Sequence, residues 1–249
     1  MAILIETLAE GRITTWAGTT RVVASAAGIC AVHLPSWHGA PPPAENETPR
    51  SEIARGEDGP AAAHLRQALD ELAEYFAGER RAFSVVLDLT GPAFFQQVWA
   101  EVARVPYGET RSYGEIARAV GAPEASRAVG AANGANPVAP FVPCHRIVGS
   151  DGRLTGYGPG LPLKQRLLVM EDALPASAAD YDAWVARMRG RLGGALVLGL
   201  RATRHYCRPE CARARASQRP NRVFARAEEA RTAGFAPCPR CASDAPTLL

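Results

Sequence analysis

Two groups of residues in this 249-residue sequence are suited by type and separation to nucleophilic or metal chemistry. The first is Cys144-His145, which follows the proline-rich stretch Asn136-Pro137-Val138-Ala139-Pro140-Phe141-Val142-Pro143 and precedes Arg146. Proline fixes φ, so this backbone is stiff. A free thiol, with a pKa of about 8.5, is mostly protonated at neutral pH. An imidazole beside it, directly or through a water, can take that proton and leave a strong nucleophile. A carboxylate on the other ring nitrogen would fix the tautomer and raise the basicity of the ring. Taken alone, the dipeptide also fits a buried structural cysteine with an incidental neighbour. The second group is Cys207-x3-Cys211 and, 26 residues later, Cys238-x2-Cys241. Four thiolates in two tight pairs favour tetrahedral zinc over an iron–sulfur cluster. In a tail this short, a metal contributes much of the folding energy. Cys30, in a strand-like apolar run, reads as a small buried hydrophobe.

The elements that must hold these groups follow from patterning. Ile3–Leu8, Arg12–Ala17, Val22–Ala26 and Cys30–Leu34 are short apolar runs separated by Gly or polar pairs, which predicts antiparallel hairpins. Pro35 to Gly59, with three consecutive prolines and many acids, reads as an exposed loop. Pro60 suits a helix start, and Leu65, Leu69, Leu72 and Phe76 form one stripe in a helix to Ala77. Val85–Leu89 is a further strand. Short helices then follow at Phe94–Val105, Tyr113–Val120, Ala125–Ala132 and Leu163–Glu171. Ser112 and Glu115 stand at capping-box spacing. The two helices on either side of Gly121-Ala122-Pro123-Glu124 are a helix-turn-helix candidate, although such pairs also occur in proteins that never meet DNA. Pro175–Asp180 is a small-residue joint, followed by a helix at Asp182–Met188, a strand at Ala195–Leu200 and the cysteine-rich end.

The formal net charge is +3, but it is segregated. Residues 1–174 carry fifteen Lys and Arg against nineteen Asp and Glu, a balance of −4. Residues 175–249 carry thirteen Arg against six acids, a balance of +7. A basic segment beside a near-neutral one implies a polyanion partner. A composition of 47% hydrophobic and 21% charged residues excludes global disorder. The longest apolar run, Gly193–Leu200, falls far short of the ~20 residues a membrane span needs. The first twelve residues lack a basic leader, so the chain is expected to be cytoplasmic.

Leu89 to Glu171 resembles the catalytic domain of the O6-alkylguanine-DNA alkyltransferase (methylated-DNA–protein-cysteine methyltransferase) family. PCHRI at 143–147 carries the family's Pro-Cys-His-Arg-Val signature, with Ile147 in the last place. VPYGETRSYGEIA at 105–117, SRAVGAANGANP at 126–137 and GYGPGLPLKQRLL at 156–168 stand in the family's order and spacing, and the first 88 residues resemble its lead domain. The resemblance implies that Cys144 accepts the alkyl group irreversibly, that His145 deprotonates it through a water, and that Glu171 orients the histidine. Asn136 would brace the active-site turn, and Tyr113 would sit by the flipped base and help charge the leaving guanine. Arg127 would enter the duplex, and Ala128, Gly130 and Ala131 would let its helix approach the minor groove closely. Tyr157 and Gly158 would line the base pocket, and Arg146 is placed with the residues that contact DNA or base. The target atom is inaccessible in a stacked duplex, so the nucleotide must be extruded.

The segment from Trp184 onward resembles the methylphosphotriester-repair domain, the zinc module of the bacterial Ada protein, through GGALVLGLRATRHYCRPEC at 193–211 and AEEARTAGFAPCPRC at 227–241. The resemblance implies that Cys207 accepts a methyl group from a backbone phosphotriester while Cys211, Cys238 and Cys241 complete the zinc site. Arg204, Arg208, Arg213, Arg215, Arg219 and Arg222 would add salt-dependent backbone affinity. Two departures stand out. The zinc module follows the guanine-repair domain rather than preceding it, without Ada's transcription-regulator region, and His205 replaces the usual Gly.

The expected layout is an α/β N-terminal subdomain (small sheet plus helix, 1–88), a mainly helical helix-turn-helix-containing catalytic subdomain (89–174), a linker (175–180) and a small α/β zinc domain (181–249). The expected partner is double-stranded DNA, with structural zinc, no organic cofactor, no membrane and a monomeric chain. A single-activity alkyltransferase whose zinc domain only binds DNA, and a DNA-binding regulator without transfer chemistry, are the competing readings.

Overall fold

The computed structural model describes residues 8–37, 49–56, 58–193, 195–217 and 222–243. The first sheet joins β1 (Ala9–Thr15), β2 (Gly18–Ser25), β3 (Gly28–His33) and β4 (Arg50–Arg55) in the antiparallel order β3-β2-β1-β4. Ile13, Val22, Ala24 and Ile29 point into the core, where α1 (Pro60–Phe76) covers them with Leu65, Leu69 and Leu72. Gly11 permits that close packing: a Cβ there would stand 2.8 Å from the Glu52 carbonyl and 3.0 Å from Leu69.

Two expectations change here. β4 lies in the stretch expected to be a loop, because Arg-Ser-Glu-Ile-Ala-Arg is a polar edge strand with little apolar signal. Val85–Leu89 makes only a single parallel bridge, Leu87 to Ile29, with Ile29 N–H donating to Val86 O at 2.8 Å. The run expected at Arg12–Ala17 is a strand over Ala9–Thr15, while the expected Ile3–Leu8 strand falls mostly on residues 3–7, which lie outside the described residues, as do His38, Pro41–Pro43 and Arg219.

A run of short helices follows: α2 (Ala93–Ala103), α3 (Tyr113–Ala119), α4 (Ser126–Gly134) and α5 (Leu161–Met170), with the two-residue strands β5 (Arg111–Ser112) and β6 (Ile147–Val148) paired in parallel. Ser112 caps α3 through a complete capping box: Glu115 N–H donates to its hydroxyl at 3.2 Å and Ser112 N–H donates to the Glu115 carboxylate at 2.7 Å. One apolar core runs from Ile13 through Leu72, Trp99 and Ile116 to Leu167.

Beyond it, α6 (Tyr181–Leu192) packs on a second sheet of order β10-β8-β7-β9. The strands are β7 (Val197–Leu200), β8 (His205–Cys207), β9 (Arg222–Phe224) and β10 (Ala236–Pro237), accompanied by the short helices α7 (Ala212–Arg215), α8 (Ala227–Thr232) and α9 (Pro239–Ser243). A separate core gathers Tyr181, Trp184, Met188, Leu198 and Leu200 around Cys207 and Cys238. The chain is thus mixed α/β with a cysteine cluster in its C-terminal region. Among the described residues, no helix is long and apolar enough to cross a membrane.

Candidate active site and metal centre

The stiff segment before Cys144 ends in a 3-10 turn, Cys144–Arg146. Asn136 staples it from inside: its Nδ2 donates to Val142 O at 2.8 Å while its Oδ1 accepts from Val138 N–H at 3.1 Å. Asn133, from α4, donates to the Cys144 carbonyl at 3.3 Å. The turn is buried, with Cys144 5% and His145 0% exposed.

Behind it stands Glu171, at the end of α5 and fully buried. Its carboxylate receives His145 Nε2 at 2.9 Å, Tyr75 Oη at 2.7 Å and Arg146 Nε and Nη2 at 2.8 and 2.9 Å. Burial alone would raise the Glu171 pKa, but His145 and Arg146 outweigh it and hold the group well below the usual carboxylate range. An ionised carboxylate only accepts, so the proton sits on His145 Nε2 and Nδ1 is left bare. His145 Nδ1 has no hydrogen-bond partner among the described residues. Burial pushes the His145 pKa below its ordinary value despite the pull of Glu171, so the ring is neutral near pH 7. Burial pushes the Cys144 thiol up, with opposing contributions from Asn136 and from the charge of Lys164.

Lys164 is the single lysine of the chain, and the sequence reading gave it no role. It is fully buried on α5, donating to Ile147 O at 2.5 Å and Thr155 O at 2.7 Å. Burial lowers its pKa to about 8. Its singularity among arginines was a readable signal. Tyr75 had none, because it sits on α1 within an ordinary apolar stripe.

Cys144 lines a cavity of about 220 Å³, together with Asn136, Tyr157, Gly158 and, from the first sheet's edge, Val32, Leu34 and Ser36. The Tyr157 hydroxyl is buried with no hydrogen-bond partner among the described residues, and Tyr157 lines the same cavity. Tyr113 opens α3 with its hydroxyl donating to Thr155 O at 3.3 Å, on the loop that carries Tyr157. α4 presents Arg127, Ala128 and Ala131 to solvent, with Gly130 partly covered by the Tyr113 ring.

The placement of Arg146 corrects its expected contact with DNA. It is 6% exposed, spends two nitrogens on Glu171 and donates a third to Val105 O at 2.6 Å. A buried guanidinium needs its counter-ion, so it points inward. Arg204 is exposed, yet its guanidinium donates to Ala233 O and Gly234 O at 3.2 and 3.1 Å and lies 4.6 Å from the Phe235 ring. Arg208 and Arg213 are exposed, whereas Arg215 pairs with Asp182.

The ligand sulfurs of Cys207, Cys211, Cys238 and Cys241 all lie within 4.8 Å of one another. A tetrahedral Zn–S₄ centre with 2.3 Å bonds requires sulfurs about 3.8 Å apart, so the donor set fits. Burial first, then the neighbouring sulfurs, pushes the Cys207 thiol far up, whereas hydrogen bonds from surrounding groups outweigh burial at Cys238 and bring it to about 7. A bound dication reverses that balance and keeps coordinating thiols ionised.

Residues 93–173 match the family model for the DNA-binding domain of 6-O-methylguanine DNA methyltransferase, and residues 179–244 match the metal-binding domain of Ada. The methylated-DNA–protein-cysteine methyltransferase of Mycolicibacterium paratuberculosis is 55% identical over 116 residues, which are 46% of this chain and 70% of that protein. The chain belongs to the methylated-DNA–protein-cysteine methyltransferase family. The family's constitutive member in Bacillus subtilis is 51% identical over 43% of this chain and 66% of its own length. A solved methyltransferase structure, Mycobacterium tuberculosis OGT in complex with DNA, superposes with a TM-score of 0.52 at 39% identity, covering 66% of this chain and 94% of that one. The methyltransferase part of the present chain is joined to a structural zinc site of four cysteines.

Proposed function

We propose that this chain repairs O6-alkylguanine in double-stranded DNA by moving the alkyl group onto Cys144, and that its C-terminal zinc unit takes methyl groups from backbone phosphotriesters on Cys207. The observation that carries the first part is the bare Nδ1 of a neutral His145, backed by ionised Glu171 beside a cavity floored by Cys144. The Cys144 proton passes to His145 Nδ1, through a water where the two do not touch. The thiolate attacks the alkyl carbon in line with the departing oxygen. The sulfur–carbon bond forms, the carbon–O6 bond breaks, and its electron pair leaves with the guanine. Tyr113 and the Tyr157 hydroxyl, which has no partner among the described residues, are the groups we assign to orienting that base. Lys164 lends positive charge to the thiolate through a dry environment, where such a charge counts for more than in water.

The base must leave the stack to reach this cavity. α4 suits the approach, since Arg127 stands on an exposed face otherwise made of small residues. The thioether has no leaving path, so one chain repairs one lesion. At the second centre, a zinc-held thiolate needs no neighbouring base, and arginines nearby, Arg208 among them, would engage the phosphate backbone. Supporting this reading are the matched Ada domain and the four-thiol geometry.

The arrangement we propose is an α/β unit to residue 88, a helix-turn-helix catalytic unit over 89–174, a joint at 175–180 and a zinc unit from 181. The separate cores support that last division. We assign the chain to the cytoplasm, where reducing conditions keep its six thiols available. Peptide mass analysis after exposure to duplexes carrying O6-methylguanine or a methylphosphotriester tests the reading. The expected products are methyl-Cys144 with the first and methyl-Cys207 with the second. Methylation of Cys144 alone would reduce the zinc unit to a binding appendage, and methylation of neither would leave no transfer chemistry.

A further inference from the structure

The turn between β7 and β8 sends Arg201 out of the zinc-site sheet and into the helix-turn-helix. Arg201 is 4% exposed, whereas every other described arginine of the tail is exposed or half-buried. Its Nη1 donates to Glu115 Oε2 at 2.7 Å and its Nη2 donates to Thr110 O. Arg222, from the adjoining strand β9, reaches the other Glu115 oxygen at 3.5 Å. Glu115 is the capping-box residue of α3, which also holds Ser112 immediately before Tyr113. Burial opposes its charge, but Arg201 and Ser112 outweigh burial and hold the Glu115 carboxyl at about 2.

The other end of this link is the cysteine cluster. Leu198 pairs with Cys207 across the hairpin, Leu200 with His205, and Cys238 N–H donates to Tyr206 O at 3.0 Å. The hairpin therefore carries Cys207 itself and is bonded directly to the segment that carries Cys238. The core around Cys207 has a second tie to the catalytic side: Trp184, from α6, donates its indole N–H to Asp172 O at 2.8 Å, one residue past Glu171. A buried arginine with one carboxylate partner is costly to separate from it.

We infer that Arg201 is a positioning residue through which the zinc-ordered β7–β8 hairpin holds the first turn of α3, so that loading the four-cysteine site raises the rate of transfer from duplex DNA to Cys144. The inference rests on Cys144 being the acceptor. It gives the tail a role in guanine repair that is separate from any reaction of Cys207.

The test is a cycle on the full chain, wild type and Arg201→Met, each zinc-loaded and after chelation. Two quantities are read: amide hydrogen exchange over residues 110–119, and the single-turnover rate of Cys144 alkylation by an O6-methylguanine duplex. In wild type, chelation is expected to speed exchange and slow transfer by roughly tenfold, within the range of ordinary couplings between sites. In Arg201→Met both changes are already present with zinc bound, and chelation adds little. Arg201→Gln repeats the cycle if the methionine variant does not fold. Equal responses to chelation in wild type and variant, or no response in either, overturn the inference, as does altered exchange with an unaltered rate. If no form alkylates Cys144, it is the proposed reaction that fails, and with it the inference.

Discussion

Replacing Glu171 by glutamine separates what this carboxylate does for stability from what it does for proton transfer. Glutamine keeps the size of the side chain but removes the charge that faces Arg146 over two contacts of 2.8 and 2.9 Å. Arg146 is 6% exposed, so its guanidinium would be left buried without a counter-ion. Such an orphaned charge costs about 3–5 kcal/mol, a large part of the roughly 5–15 kcal/mol that holds a domain folded. Glutamine can still accept from His145 Nε2 through its amide oxygen, but it lacks the negative charge that stabilises the ring once it takes the thiol proton, and positioned proton transfer is worth about 10²–10⁴ in rate. E171Q is therefore expected to lower the urea midpoint steeply and to slow Cys144 alkylation by that factor. The double variant E171Q/R146M removes the orphaned charge and is expected to recover about half of the lost stability or more, while transfer stays slow. Urea melts and single-turnover alkylation read the two quantities separately. An E171Q chain as stable as wild type, or a double variant that regains rate along with stability, would refute the reasoning.

Other perturbations follow from the same contacts. Tyr75→Phe removes a hydroxyl donated to ionised Glu171 at 2.7 Å; a loss of about 1.5–3 kcal/mol is expected in denaturant melts, and no change would detach Tyr75 from the network. Glu171 and His145 both have folded pKa values below their ordinary 4.5 and 6.5, so the folded state binds fewer protons than the unfolded one. The stabilisation is present above these values and is lost in acid, beginning below about pH 6.5 and steepening below about 4.5. E171Q should lack the steeper part, which melts across pH will show, and an alkaline loss of the same size would contradict the assignment. Chelation should unfold the region from Tyr181 to Ser243, since a structural zinc site of this kind supplies about 10–16 kcal/mol. Far-ultraviolet circular dichroism and thiol labelling of Cys207 and Cys238 report it, and an unchanged spectrum with protected thiols would count against a structural metal.

What was legible in the sequence was local. The Ser112–Glu115 capping box, the Pro60 helix start and the two cysteine pairs are chemistry within a few residues, and each appears in the structure as read. β4 escaped because an exposed edge strand of Arg, Ser and Glu carries no apolar alternation. The inward turn of Arg146 and the contribution of Tyr75 depend on partners 25 and 96 residues away, which no spacing rule encodes. The same holds for Arg201, whose partner Glu115 is 86 residues distant. Lys164 is the instructive intermediate: its uniqueness was visible, but only the fold shows its ammonium donating to Ile147 O and Thr155 O.

The most direct measurement is a titration of zinc-loaded chain with duplex containing O6-methylguanine, counting restored guanines against methyl groups recovered on each cysteine peptide. The account predicts a plateau at one guanine restored per chain, with the methyl on the Cys144 peptide and none transferred by C144S. Continued turnover beyond that plateau, or a methyl recovered elsewhere while Cys144 stays free, would contradict it.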